Sequence, residues 1–98
     1  MISLPVEAEQ VAEVCRRHNV RELAVFGSAA RGDTRPDSDI DVLIDFEPSV
    51  RIGFIALSRL NRDLEALFGR RVDVVTKRGL NPRIRDRVLA EAEVVFAA

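Results

Sequence analysis

The stretch from Ile40 to Thr76 constrains the fold more than any other part of this chain, because it reads as strand, helix, strand. Ile40, Val42 and Ile44 alternate with Asp39, Asp41, Leu43 and Asp45, which is the period of two of an extended strand. Leu57, Leu60, Leu64, Leu67 and Phe68 then recur at helical spacing, and Gly69 suits the left-handed position past the end of that helix. Arg71–Thr76 is a further strand, with Val72 and Val74 on one side and Asp73 and Val75 on the other. Such a unit predicts a parallel pair joined by a right-handed crossover.

The remaining segments fit around it. Leu4, Ala8, Val11 and Cys15 mark one face of a helix that closes near Arg16–Asn19. Cys15 reads as core filler, and His18 as a residue of the surface or helix end rather than a catalytic base. Glu22–Phe26 is a short apolar strand running into Gly27-Ser28, and the segment 29–37 is rich in turn residues. The connection to Ile40 is too short for a crossover helix, so these two strands are expected to be antiparallel. Asn81-Pro82 is an N-cap and first-turn pair for a last helix reaching about Ala90, and Val94–Phe96 adds a short final strand. The expected fold class is α/β (α+β): a small mixed β-sheet backed by helices, in a single domain over residues 1–98.

Composition narrows the function classes. The chain has 98 residues, 47% hydrophobic and 32% charged, as an ordinary globular domain has. Fifteen basic residues face sixteen acidic ones, which gives no support to general binding of nucleic acid. With neither Trp nor Tyr, a platform for stacking bases is not expected. One cysteine allows no internal disulfide and no thiolate cluster, which suits a cytoplasmic setting. No apolar run approaches the roughly 20 residues of a membrane span, and the first residues lack the pattern of a signal peptide.

The predicted topology has a chemical consequence. An antiparallel first pair brings Gly27-Ser28 beside the start of the second strand, where Asp39 and Asp41 lie. The parallel crossover brings Asp73 to the same edge. Asp39 and Asp41 project from one strand face, about 6.5–7 Å apart along the backbone. Adjacent carboxylates repel unless a cation neutralises them, and hard oxygen donors of this kind suit Mg2+ or Mn2+. A third carboxylate completes a cage for two ions about 3.5–4 Å apart, the arrangement used for in-line phosphoryl displacement. Alternating aspartates alone equally fit the solvated face of an antiparallel edge. Asp73, however, interrupts an apolar strand that the crossover helix is expected to bury, so its carboxylate calls for a partner, and a metal is the economical one. Asp45 lies toward the opposite edge and is assigned to solvent or the strand end. In Gly27-Ser28-Ala29-Ala30-Arg31-Gly32, glycine permits close approach of a phosphate, and Ser28 can donate its hydroxyl. Arg31 equally suits a salt bridge with Asp33 or Asp37. Lys77, Arg78, Arg83, Arg85 and Arg87 are read as a solvated face in preference to a phosphate or partner contact.

Gly27-Ser28-Ala29-Ala30-Arg31-Gly32-Asp33, followed by Ser38-Asp39-Ile40-Asp41-Val42-Leu43-Ile44 and a later Asp73, resembles the minimal nucleotidyltransferase family of the DNA polymerase β-like superfamily. The resemblance covers nearly the whole chain. It implies that Asp39 and Asp41 bind two metal ions, and that Asp73 binds the catalytic one and helps deprotonate the acceptor. Gly27 and Ser28 are implied to contact the triphosphate. The implied reaction is transfer of AMP from ATP to a hydroxyl, with release of pyrophosphate. The resemblance also implies a partner: a ribonuclease toxin of the HEPN class, modified on a tyrosine and neutralised by this chain as its antitoxin. Two alternatives stand beside that reading, a non-catalytic module that sequesters the toxin and a nucleotidyltransferase acting on a small molecule. The lack of room for an acceptor-binding domain counts against the latter, and the lack of template-binding domains against DNA polymerisation. Homo-oligomerisation, nucleotide preference and the acceptor residue are left open.

Overall fold

The computed structural model describes residues 6–27, 30 and 39–98. Among them, helix α1 (Ala8–Arg17) leads into β1 (Val20–Phe26), then β2 (Ile40–Phe46), α2 (Phe54–Phe68), β3 (Val72–Thr76), a 3-10 turn (Lys77–Gly79), α3 (Pro82–Glu91) and β4 (Glu93–Ala97). The four strands form one sheet in the order β3-β2-β1-β4. β2 and β3 are parallel, with α2 as their crossover, whereas β1 is antiparallel to both β2 and β4. The mixed α+β class and both expected strand directions hold.

Local chemistry explains the boundaries. Residue Gln10 closes a capping box at the start of α1, its side chain accepting from the Glu7 N–H at 3.0 Å. Helix α2 ends at Gly69, whose φ of 71° is the left-handed conformation expected there. Asn81 caps α3 by accepting from the Arg83 N–H at 2.9 Å, and Pro82 occupies the first turn.

Two apolar layers sandwich the sheet. Val11, Val14 and Cys15 of α1 and Leu60, Leu64 and Phe68 of α2 pack on Leu23, Val25, Ile40, Val42, Ile44 and Val72. On the opposite face, Val88 of α3 and Leu80 pack on Ala24 and Leu43, flanked by Phe26 and Val75. Cys15 is fully buried, as its place in the stripe predicts. His18 caps the end of α1, but it is not a plain surface residue. Its Nε2 lies 2.6 Å from an Asp63 oxygen and ties α1 to α2. No helix among the described residues is long and apolar enough to cross a membrane.

A carboxylate corner at one end of the sheet

Among the described residues, the second face is not covered along its whole length. Leu43 and Val75 lie beneath α3, while Asp41 and Asp73, one pleat earlier on the same strands, lie beyond it. Asp41 and Asp73 are direct partners in the parallel register, which sets their α-carbons about 4.8 Å apart by ordinary sheet spacing. Asp39 is exposed just before β2 begins. Phe26 pairs with Asp41 across the antiparallel ladder, so the turn that follows β1 arrives at the same place. Gly27 makes that turn with φ of 66°, and a β-carbon there would overlap the Asp41 carboxylate. Glycine therefore gives the turn its left-handed conformation and leaves the space that Asp41 fills.

Two expectations need correction. Asp73 is exposed rather than buried, because the crossover helix covers the Val72 and Val74 side of β3 and Asp73 projects from the other. The need for a partner thus arises from its neighbour Asp41, not from desolvation. Asp45, expected in solvent or at a strand end, is only 8% exposed. The Arg21 guanidinium reaches over from β1 and forms an ion pair with it. This pairing also holds Arg21 protonated, its pKa raised by the hydrogen bond to Asp45 and by the carboxylate's charge.

Among the described residues, no three carboxylate, imidazole or thiol groups are gathered closely enough to form a ready cage. The acids share one edge of the sheet instead. The donor set nevertheless fits a hard divalent ion. It consists of carboxylates alone, two of them in register, and neither Asp39 nor Asp73 forms an ion pair with a described residue. Ser28, Arg31, Asp33 and Asp37 lie outside the described residues. Glu65 was missed by sequence reasoning: its carboxylate accepts from the Val72 N–H at 3.1 Å and anchors the start of β3 beside Asp73. A signal was available, since an acid in the last turn of a helix opposes the helix dipole unless it has another task.

Carboxylates in register beside a glycine turn form a corner suited to metal-assisted phosphoryl chemistry. The family model for the nucleotidyltransferase domain matches residues 8–95, and the chain belongs to that family. Within it, the resemblance extends to small stand-alone members. The chain is 47% identical over 85 residues to the protein adenylyltransferase MntA of Thermococcus cleftensis, covering 85% of this chain and 82% of MntA. A minimal nucleotidyltransferase of known structure superposes with a TM-score of 0.75 at 46% identity, covering 88% of this chain and 86% of that one. A toxin-antitoxin crystallised with AMP-PNP shares the fold at a TM-score of 0.78 and 19% identity, over 95% of this chain and 75% of that one.

Proposed function

We propose that this chain is a protein adenylyltransferase that transfers AMP from ATP to a hydroxyl of a partner protein. The observation that carries this reading is the in-register pair Asp41 and Asp73 beside the positive-φ Gly27. Asp39, Asp41 and Asp73 would hold divalent ions, Mg2+ or Mn2+. When bound, these supply charge neutralisation on the triphosphate and acidify the attacking hydroxyl. The chain's own contribution is placement. Gly27 lets the backbone approach the phosphates, Ser28 supplies a hydroxyl donor, and Asp73 takes up the acceptor's proton. The acceptor oxygen forms a bond to the α-phosphorus as the bond to the bridging oxygen breaks, and pyrophosphate leaves. Holding the reacting atoms in line supplies much of the rate enhancement.

The name of the Thermococcus relative supports protein as the acceptor class, and the toxin-antitoxin neighbour with its ATP analogue supports both a toxin partner and ATP as donor. The finer reading is an antitoxin that modifies a tyrosine of a HEPN-class ribonuclease toxin in the cytoplasm. Incubation with labelled ATP, Mg2+ and the partner, followed by intact-mass measurement, tests it. An AMP-sized increment that disappears with Asp41→Asn is expected. Tight binding with no increment would replace the enzyme with a module that merely sequesters its partner.

A further inference from the structure

We infer that the groove between the end of α1 and the start of α2 is a docking surface for an acidic protein segment that carries apolar side chains. The groove encloses about 760 Å³ and lies at the end of the sheet remote from the acids. Phe46 and Ile52 form part of its wall, and Phe46 lies five positions along β2 from Asp41, about 16–17 Å along the strand.

Two observations make this surface unusual. Ile55 of the groove wall is 70% exposed, and Phe54, its neighbour at the start of α2, is 84% exposed. Consecutive large apolar side chains this open are uncommon on a chain that works alone. Around them the charge is positive. Arg59 and Arg62 line the groove without forming an ion pair with any described residue. Arg17 also lines the groove, paired with Glu13 and with Asp63, which lies in the same wall. The first turn of α2 contains no acidic residue, and Gly53 gives it no side-chain cap, so the positive end of the helix dipole adds to the same field.

Charge complementarity therefore selects an occupant with carboxylates, and Phe54 and Ile55 select one with apolar side chains between them. Nucleic acid fits less well, because the apolar wall includes the aliphatic Ile52 and Ile55, and the chain as a whole carries a net charge of -1. The surface is separate from the carboxylate corner, so it serves to hold a partner rather than to act on it.

The test is a titration of isotope-labelled whole chain with a synthetic helical peptide that carries leucines on one face and glutamates along its margins. The expected result is amide shifts centred on Phe54, Ile55, Arg59 and Arg62. Ile55→Asp and the double variant Arg59→Glu/Arg62→Glu should each weaken binding by roughly tenfold or more. Ile55→Ser serves as a milder second variant, and since all three side chains are exposed, thermal melting should be nearly unchanged. Several results would overturn the inference: no binding, equal binding of a peptide with serines in place of the leucines, or shifts at Asp41 and Asp73. Tighter binding of single-stranded RNA, or self-association abolished by Ile55→Asp, would assign the groove to a different occupant and overturn it too.

Discussion

Gly27 stands so close to Asp41 that a β-carbon built on it would overlap the carboxylate oxygen Oδ2. The turn after β1 and the acid on β2 therefore share one space. Gly27→Ala is expected to do two kinds of damage. The positive φ of 66° would cost about 1–2 kcal/mol of stability for a residue with a side chain. Displacement of the Asp41 carboxylate would lower AMP transfer by roughly a hundredfold, the scale of an ångström's misplacement at a reacting centre. Calorimetry and initial rates at saturating Mg2+ check the two parts separately. Full activity in a folded variant would remove Gly27 from the site.

The antiparallel and parallel neighbours of β2 were both legible in the sequence because chain length between strands fixes them physically. A connection of about a dozen residues is at the lower limit of what a crossover needs, whereas the far longer one from β2 to β3 holds a full helix. That logic brings Gly27, Asp41 and Asp73 to one edge. Exposure was less legible. Asp73 was expected to be buried because the valines around it are, yet a strand beside a helix has two faces, and only packing decides where α3 stops covering the second. The Arg21–Asp45 pair was missed for a related reason. Nothing local to either residue indicates that β1, with its register shift between Val20 and Glu22, brings Arg21 over Asp45.

Asp73 opposite Asp41 places like charges on neighbouring positions of a parallel strand pair, an arrangement that disfavours the folded sheet. Asp73→Asn should therefore melt slightly higher than the parent in EDTA. It should also lose most of the parent's stabilisation by Mg2+ and ATP, since binding to the folded state raises stability only to the extent of affinity. Melting curves with and without Mg2+ and a non-hydrolysable ATP analogue give both readings. A variant that melts lower in EDTA, or that keeps the full Mg2+ shift, would contradict a shared cation site.

The two partners of the Arg21–Asp45 pair should not be equivalent. Arg21 is about half exposed, with 48% of its side chain accessible, and water can take over its guanidinium when Asp45 is replaced. Asp45 retains 11% and would be left nearly buried with its charge uncompensated. Arg21→Ala should accordingly destabilise the fold more than Asp45→Asn does. Urea unfolding of the two variants and their double mutant measures the asymmetry. Equal losses, or a larger one for Asp45→Asn, would mean that the carboxylate is better solvated than its position indicates.

Cys15 supplies a pH dependence whose sign is fixed by burial. Removal from water disfavours the thiolate and raises the thiol from 9.0 to about 12 in the folded chain, with the nearby Arg16 charge opposing the rise. A folded-state value above the unfolded one means that the contribution is fully present below pH 9.0. It declines above that, because the unfolded chain loses its thiol proton while the folded chain keeps it, and it is lost as the pH approaches about 12. Over that window the unfolding free energy should fall by at most about 1.4 kcal/mol per pH unit from this group. Other groups titrate there as well, so the quantity to measure is the difference between the parent and Cys15→Ala in urea titrations from neutral to strongly alkaline pH. The parent should lose stability faster above pH 9.0, and its thiol should react with a disulfide reagent at the rate of chain opening. Parallel curves for the two proteins, or a thiol that reacts as fast in the folded chain as in the unfolded one, would show that the end of α1 opens to water.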